Sequence, residues 1–265
     1  NICKGDIMEI NLKNKVVVIT GAAGGLGSAI AKGFARDGAK VVCLDLKNTD
    51  KIKSEIISFG GACYAREFDI TDPLAVEENF KAIKSEVGYI DVLINNAGIN
   101  VGADERKTVE NFSDKWWDAI LAVDLKGVYN CTKHALKSFN PIGGSIINIS
   151  SIVGITPLRN QCAFAAAKSG VINLTKAAAI ELAEKNVRVN CIAPGTVGIE
   201  LTNKLWQNDE KMKGLLAHIP MGRQATPEDI VGAAMFFASD LSKYITGAVL
   251  PVDGGWTAGG FARNF

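Results

Sequence analysis

The sequence predicts an α/β fold in which a doubly wound parallel sheet of about seven strands carries helices on both faces. Two observations lead to this prediction. Short β-branched runs alternate with longer helical patterns, and that order gives parallel strands joined by right-handed crossovers. The strand candidates are also almost continuously apolar, as expected for strands that are covered on both faces. Sheets of this kind bind their ligands at the carboxyl ends of the strands.

The predicted elements follow this alternation along the chain. Strands are expected at Val16–Thr20, Val41–Asp45, Cys63–Glu67, Val92–Asn95, Ser145–Ser150, Arg188–Ala193 and Ala248–Val252. Helices are expected at Leu26–Arg36, Asp50–Phe59, Pro73–Val87, Ser113–Ser138, Phe164–Glu184 and Pro227–Ala238. Residues 15–265 are interpreted as one domain, because no repeat or Pro/Gly-rich linker divides them. Residues 1–14 are interpreted as an N-terminal extension, with residues 1–7, ahead of Met8, as a cloning or start-site remnant.

The composition argues against several classes of function. The 265 residues are 48% hydrophobic, which suffices for one sizeable core. A net charge of +1 gives no reason to expect nucleic acid or an anionic membrane as partner. No apolar run approaches the roughly 20 residues that span a bilayer. The six cysteines form no C-x-x-C pair, which favours a reducing cytoplasm over secretion. No His, Cys or carboxylate cluster has metal-ligand spacing, so no metal site is expected.

Two long segments interrupt the regular alternation. Residues 100–112 form a charged loop after the fourth predicted strand, and residues 195–223 contain a short amphipathic pattern. Loops of this length usually serve a site, often as a lid. The amphipathic pattern consists of Leu201, Leu205, Met212, Leu215 and Leu216. Trp206 and Met212 are expected to form the apolar underside of the lid.

A glycine-rich turn, Thr20-Gly21-Ala22-Ala23-Gly24-Gly25-Leu26-Gly27, follows the first strand and opens the first helix. Glycine at positions 21, 25 and 27 lets the backbone turn tightly and approach a pyrophosphate. The helix N-terminus then offers free N–H groups and the positive end of its dipole. Between a strand and a helix, such a turn predicts a dinucleotide site, with a tight turn that binds nothing as the alternative.

Asp45 ends the second strand, eighteen residues beyond Gly27. A carboxylate there can accept hydrogen bonds from both adenosine ribose hydroxyls and repels a 2′-phosphate, so NAD is expected and NADP is disfavoured. Lys47 softens this discrimination, and a strand-end Asp that only caps a turn is the alternative. The segment Asn95-Asn96-Ala97-Gly98 leaves room for a flat cofactor after the fourth strand, although as a bare tetrapeptide it also fits a simple turn.

With these motifs in order, the chain resembles the short-chain dehydrogenase/reductase family over nearly its full length. The resemblance implies a single-domain Rossmann-type fold and an NAD(H)-dependent oxidoreductase that interconverts a secondary alcohol and a ketone. The matching residues are Thr20–Gly27, Asp45, Asp69-Ile70, Asn95–Gly98, Ser150-Ser151, Lys168, Pro194-Gly195 and Val252-Asp253-Gly254-Gly255. The implied cofactor site consists of Gly21, Gly25, Leu26, Gly27, Asp45, Asp69, Ile70, Asn96, Ala97, Gly98, Lys168, Pro194, Gly195 and Val197.

The implied catalytic set departs from the family pattern at two positions. The family's tyrosine falls on Phe164, thirteen residues after Ser151 and four before Lys168. The asparagine that often completes the catalytic tetrad falls on Asp124. The resemblance implies that Ser151 would hydrogen-bond the substrate oxygen and that Lys168 would hold the nicotinamide ribose. A third departure, at the threonine that often holds the nicotinamide amide, falls on Ile199, with Thr196 or Thr202 as replacements.

Phe164 has the ring of a tyrosine without the hydroxyl that would exchange a proton with the substrate. Losing a positioned general acid typically slows a reaction by about 10²–10⁴-fold. Binding is expected to survive, because the ring still fills its space and Lys168 remains. Two origins are open: an engineered Tyr→Phe substitution, or a native Phe with proton transfer delegated to water, Asp124 or another group such as Cys162. An ordinary core aromatic is a third interpretation.

The substrate is expected to be a small polar molecule such as a polyol, sugar or hydroxy acid, bound by Arg159, Asn160 and Gln161. The helix Phe164–Glu184 is apolar around most of its circumference, which indicates burial on more than one side. The resemblance implies a homotetramer, or a homodimer, formed through this helix and the segment Trp256–Phe265. Competing functions are a non-catalytic NAD-binding protein and a non-redox lyase or isomerase that holds NAD structurally.

Overall fold

The computed structural model describes residues 9–199, 202 and 209–259. Within these residues, seven parallel strands form one sheet in the order β3-β2-β1-β4-β5-β6-β7, which confirms the predicted fold class. Each strand begins and ends within one residue of its predicted bounds. The strands are β1 (Val16–Thr20), β2 (Lys40–Asp45), β3 (Ala62–Glu67), β4 (Val92–Asn95), β5 (Gly144–Ile149), β6 (Val187–Pro194) and β7 (Val249–Val252).

Helices flank the sheet on both sides. They are α1 (Gly25–Arg36), α2 (Thr49–Ser58), α3 (Pro73–Glu86), α4 (Asp114–Leu121), α5 (Val128–Ala135), α6 (Cys162–Leu182), α7 (Asp209–Leu216) and α8 (Pro227–Ala238). Short 3₁₀ turns occur at Ala103–Glu105, Val109–Asn111, Ile152–Gly154, Ala183–Lys185 and Asp240–Ser242. In the part of the chain that the structure describes, no helix is both long enough and apolar enough to cross a bilayer.

Helix α7 lies in the second long segment, where the sequence showed an amphipathic pattern but no helix was assigned. Its Leu215 is 4% exposed, as the pattern requires. Leu201, Leu205 and Trp206, which were expected to belong to a lid, lie outside the described residues.

The helix predicted over Ser113–Ser138 is present from Asp114 to Ala135, but it contains a π-helical turn that was not predicted and ends three residues early. The structure has α4, a π-helical turn at Ala122–Gly127 and then α5, which ends at Ala135. A π turn inserts one extra residue and so rotates the following side chains around the helix axis. The turn contains Asp124, which is 0% exposed. The π turn therefore places the Asp124 carboxylate inside the protein. The 3.6-residue periodicity of a regular α-helix would not predict this burial.

Apolar side chains cover both faces of the sheet. On one face, Ile30 and Phe34 of α1 share a core with Phe237 of α8. On the other face, Phe80 of α3 and Cys131 of α5 share a second core. Strands β1, β2 and β4 lie between two such layers, which explains their almost continuously apolar sequences.

The first core also includes residues that precede the predicted start of the domain. Leu12 is 1% exposed, Ile10 packs against the same core, and the Leu12 N–H donates to Asp37 Oδ2 at 2.9 Å. The predicted boundary at residue 15 therefore needs correction, since burial of these apolar side chains makes them part of the folded unit. Residues 1–8 lie outside the described part of the chain.

The strand order reverses between β1 and β4. From β1 the chain runs outward through β2 and β3, and it then returns to β4 on the other side of β1. Loops that leave the carboxyl ends of β1 and β4 consequently diverge and open a crevice. Buried amides fix the neighbouring strands there: Asn95 Nδ2 donates to Asn148 Oδ1 at 2.8 Å, and Asn148 Nδ2 donates to Thr175 Oγ1 at 2.9 Å. These bonds connect β4, β5 and α6 beside the crevice.

Candidate active site

The crevice at the carboxyl ends of the strands contains a cavity of about 800 Å³. Its wall includes all of the predicted catalytic and cofactor-binding residues and two of the three predicted substrate residues. These are Gly21, Gly25, Leu26, Gly27, Asp45, Asp69, Ile70, Asn96, Ala97, Gly98, Asp124, Ser151, Arg159, Gln161, Phe164, Lys168, Pro194, Gly195 and Val197. We call the part around the Gly21–Gly27 turn, Asp45 and Asn96 the glycine end. The part around Ser151, Phe164, Lys168 and Asp124 is called the lysine end.

The glycine end is built from backbone that tolerates no added side chain. Gly21 has a φ of +65°, and a Cβ at Gly27 would lie 2.1 Å from the Gly21 carbonyl oxygen. The turn is tied to β4, because Asn96 Nδ2 donates to the carbonyl oxygens of Thr20 and Gly21 at 3.0 and 3.1 Å. Thr20 Oγ1 in turn accepts from the Asn96 and Ala97 N–H groups. Glycine is thus required sterically, as the sequence predicted.

The N-terminus of α1 faces this turn with its backbone N–H groups available. Gly24 is the N-cap, and no side chain caps the helix. Free N–H groups and the helix dipole make this end a site for phosphate groups. Together with the Cβ-free turn, these groups fit the pyrophosphate of a dinucleotide that extends along the cavity.

Asp45 forms the outer boundary of the glycine end, at the carboxyl end of β2. Its Oδ2 accepts from the Ala23 N–H at 2.9 Å, and its Oδ1 accepts from the Leu46 N–H at 2.7 Å. Each carboxylate oxygen has a further lone pair for a ribose hydroxyl. Asp69 Oδ1 accepts from the Thr71 N–H at 2.8 Å, beside the buried Ile70. These residues fit the adenosine half of a dinucleotide.

At the lysine end, α6 presents Phe164 and Lys168 on one face, one helical turn apart. Lys168 Nζ lies 5.4 Å from the centre of the Phe164 ring and donates to the Ile149 carbonyl oxygen at 3.3 Å. Ser151 precedes the short turn Ile152–Gly154, and its Oγ accepts from the Val153 N–H at 3.2 Å. Accepting leaves the hydroxyl hydrogen of Ser151 free to donate into the cavity.

Asp124 provides the counter-charge of Lys168. Its Oδ2 lies 3.0 Å from Lys168 Nζ, with the Asp124 and Lys168 side chains 0% and 5% exposed. The distance defines an ion pair, although this oxygen has no partner in hydrogen-bond geometry. Asp124 Oδ1 accepts from the Ile99 N–H at 2.7 Å. A Cβ at Gly98 would lie 2.9 Å from Asp124 Oδ2, so glycine there makes room for the pair.

The possible replacements for the family threonine differ in what their side chains do. The Ile199 side chain packs over the glycine turn. A Cβ added at Gly25 would lie only 2.9 Å from Ile199 Cγ2. The Thr202 hydroxyl bonds within its own loop, to the carbonyl oxygens of Val197 and Ile199. Thr196 also lines the cavity. Of the two threonines, Thr196 therefore has the hydroxyl that is not bound within its own loop.

Of the three predicted substrate residues, Arg159 and Gln161 line the main cavity and Asn160 does not. Arg159 is exposed on the cavity wall, whereas Gln161 is 5% exposed and its Oε1 accepts from Asn100 Nδ2 at 3.0 Å. Asn160 does not line the cavity; with a φ of +62°, it lies beside Cys162 at a smaller depression. Cys162 is thereby placed outside the main cavity, which weakens it as a replacement proton donor.

Sequence reasoning missed Arg106, which lines the main cavity from the loop 100–112. Burial lowers the pKa of its guanidinium from the ordinary value. The loop was singled out as charged, but its pattern did not show which of its charges faces inward. The available signal was weak: Arg106 is the loop's only arginine.

Two further buried thiols are unsuited to proton transfer. Burial raises the pKa of the Cys131 thiol to about 12 and that of the Cys191 thiol to about 11. Such thiols stay protonated and act as small apolar side chains. Over the described ranges, no group of three or more His, Cys, Asp or Glu side chains is arranged to hold a metal ion.

Comparisons with known proteins show which family has this sequence and fold. A family model described as enoyl-(acyl carrier protein) reductase matches residues 21–257. The 3-oxoacyl-[acyl-carrier-protein] reductase FabG of Thermotoga maritima is 39% identical over 252 residues, which cover 93% of this chain and 99% of that protein.

Two solved structures share the fold at 37% identity each. One is an Agrobacterium tumefaciens protein proposed to be a 2-deoxy-d-gluconate 3-dehydrogenase, with bound NADP, at a TM-score of 0.86 over 94% of this chain and 98% of that one. The other is a Beutenbergia cavernae protein proposed to be an NAD(P)-dependent gluconate 5-dehydrogenase, with NADP at low occupancy. Its TM-score is 0.87 over 94% of this chain and 99% of that one. The protein therefore belongs to the short-chain dehydrogenase/reductase family of oxidoreductases.

Proposed function

We propose that this chain is an NAD(H)-dependent oxidoreductase of secondary alcohols and ketones, in which Phe164 occupies the position of the family's proton-transferring tyrosine. One observation carries the proposal: Ser151, Phe164 and Lys168 line one end of the cavity whose other end is the glycine turn. A nucleotide held at the glycine end would thus direct its nicotinamide toward these three residues.

The chain's own groups have separate tasks at the lysine end. A bound nicotinamide supplies or accepts a hydride at the substrate carbon. The Ser151 hydroxyl donates a hydrogen bond to the substrate oxygen and so fixes its position. Lys168 offers an N–H donor at the same end of the cavity, with its charge balanced by Asp124. The Phe164 ring fills the wall between them and excludes water, but it cannot donate or accept the proton.

The group that supplies the proton follows from which donors remain. The Lys168 ammonium nitrogen lies 5.4 Å from the centre of the Phe164 ring. Its ion pair with Asp124 holds it in place. A native Phe164 would then require the proton to pass from Lys168 or through water at this pair. An engineered Phe164 requires no substitute, and the chain would be a trapped form of a faster enzyme.

We propose NAD as the preferred cofactor because of Asp45. A 2′-phosphate on the adenosine ribose would lie against this carboxylate, and two like charges about 4 Å apart repel by about 4 kcal/mol at the effective dielectric of a protein surface. The two similar structures contain NADP. Exposed Lys47, which also lines the cavity, is the residue that would reduce the discrimination.

We propose a small polar substrate, namely a polyol, sugar or hydroxy acid. The polar wall formed by Arg159 and Gln161 supports this class, as do the gluconate dehydrogenases proposed for the two similar structures. A non-catalytic NAD-binding protein is the second candidate function, and the missing phenol favours it. A non-redox lyase or isomerase is a weaker candidate, with no residue specific to it.

We also propose that the chain assembles with further copies of itself and that it is located in the cytoplasm. Ile180 of α6 is 80% exposed, and Leu250 of β7 is 36% exposed, so that both elements offer apolar surface to other copies of the chain. A homotetramer, or a homodimer, would cover them. All five described cysteines are free, which suits a cytoplasmic location.

The function is tested by assaying the chain and its Phe164→Tyr variant with NAD(H) over a panel of sugars, polyols and hydroxy acids. We expect slow turnover in the parent and a rise of about 10²–10⁴-fold in the variant. Equal, substantial activity in both forms would show a native mechanism that does not use a phenol. Absence of activity in both forms, with NADH still bound, would favour the non-catalytic alternative.

A further inference from the structure

Arg106 lines the main cavity, and among the described residues its guanidinium has no ion-pair partner. Its Nε is buried and makes no hydrogen bond within these residues. A buried charged donor that lacks an acceptor is costly, because burial removes its water without replacing it. An unsatisfied buried group of this kind calls for an explanation, and a ligand that supplies the acceptor is one.

The loop that carries Arg106 is held in place at its base. The Ile99 N–H donates to Asp124, and the Val101 N–H donates to Asn100 Oδ1 at 2.8 Å. Asn100 also bonds to Gln161, which connects the loop to the segment that precedes α6. These contacts place Arg106 and Arg159 on two linked loops that line the same cavity. Arg106 itself is partly buried, although the loop residues 102–105 are exposed.

The charges along the cavity wall show which kind of ligand fits. Asp45, Lys47 and Asp69 belong to the glycine end, and Asp124 and Lys168 neutralise each other. Among the described residues that line the cavity, the remaining charged side chains are Arg106 and Arg159, both positive. The substrate region therefore has an excess of positive charge. A carboxylate matches it, because its two oxygens can accept from Nε and one Nη of the same guanidinium.

We propose that Arg106 binds the carboxylate of the substrate, so that this chain acts on hydroxy acids or sugar acids in preference to neutral polyols. The inference rests on the proposed function, since it narrows the substrate class of the same site. Arg159, which is exposed, contributes less because water screens its charge.

The test compares binding of three carboxylates with that of their neutral counterparts to the chain saturated with NADH. The pairs are D-gluconate and D-glucitol, glycerate and glycerol, and lactate and propylene glycol. Calorimetric titration should give at least one carboxylate that binds on the order of 10- to 100-fold more tightly than its neutral partner, as expected for one charged hydrogen-bonded pair. Arg106→Gln should remove this preference while leaving the affinities for NADH and for the neutral partner nearly unchanged.

Arg159→Gln is the matched control, because it removes the second arginine of the same cavity and should reduce the preference much less. The proposal is overturned if no carboxylate is preferred or if Arg106→Gln leaves the preference intact. It is also overturned if that variant weakens both members of a pair equally, which indicates packing, or weakens NADH instead, which indicates a cofactor contact.

Turnover of the Phe164→Tyr variant separates this inference from the proposed function. If that variant is inactive while the carboxylate preference depends on Arg106, the anion site stands and the oxidoreductase function fails. If it oxidises neutral polyols as fast as the matching acids, the function stands and the anion site fails.

Discussion

The two ends of the cavity are built in different ways. At the glycine end, the shape is determined by backbone, and a Cβ at Gly27 would overlap the Gly21 carbonyl. At the lysine end, the site depends on side-chain charge, with Asp124 and Lys168 paired away from solvent. The first end is sensitive to volume and the second to charge compensation. Substitutions that change one property but not the other should therefore affect the two ends differently.

The largest expected effect on stability belongs to the lysine end. Lys168→Met leaves Asp124 as a buried carboxylate without its counter-charge, and breaking such a pair costs about 3–5 kcal/mol of the free energy of unfolding. Adding Asp124→Asn should recover most of this loss, because the amide oxygen still accepts from the Ile99 N–H. Urea unfolding of the parent, both single variants and the double variant measures the coupling.

The same substitution at an exposed pair is the control for this prediction. Lys81 Nζ lies 3.1 Å from Glu77 Oε1, and the Lys81 side chain is 65% exposed. Lys81→Met should cost less than about 1 kcal/mol, since water compensates a surface charge. A loss from Lys168→Met no larger than that from Lys81→Met would contradict the buried ion pair as a determinant of the lysine end.

A smaller effect on stability is expected at the glycine end. Gly27→Ala forces a Cβ to within 2.1 Å of the Gly21 oxygen, so the turn must shift, at a cost of about 1–3 kcal/mol. The affinity for NADH should also fall, because the shifted N–H groups no longer face the pyrophosphate. Fluorescence titration measures this affinity. Gly232→Ala in α8 is the control, since a Cβ there meets nothing within 4 Å. Normal NADH binding by Gly27→Ala would contradict the explanation that a Cβ at position 27 displaces the turn.

The smallest effect should be a change in cofactor preference. Asp45→Asn removes the negative charge that opposes a 2′-phosphate but keeps an acceptor for backbone N–H groups. We expect the ratio of the NADPH and NADH dissociation constants to shift toward NADPH by about tenfold, within the electrostatic range for two such charges. Asp69→Asn, on the same wall, should leave this ratio unchanged. Equal shifts of this ratio in both variants would mean that the total negative charge of the cavity wall, and not Asp45 itself, determines the preference between NADH and NADPH.

The difference between the glycine end and the lysine end also explains how much of the site the sequence could predict. The glycine turn and Asp45 lie at the ends of strongly apolar strands, so local pattern placed them correctly at one edge of the sheet. Asp124 was identified by position, but its burial depends on a π turn for which the sequence has no clear signal. Arg106 lines the cavity from a loop that Asn100 connects to Gln161, and residues this far apart in sequence cannot be brought together by local pattern. Asn160 lines the smaller depression with a positive φ, and spacing in the sequence reveals neither fact.

The proposed separation of binding from proton transfer is tested most directly by measuring the NADH dissociation constant and kcat side by side for the parent and Phe164→Tyr. We expect nearly equal NADH dissociation constants, because the glycine end is unchanged, together with a kcat higher by about 10²–10⁴-fold in the variant. An unchanged kcat, or a gain matched by tighter NADH binding, would contradict the assignment of Phe164 to the proton-transfer position.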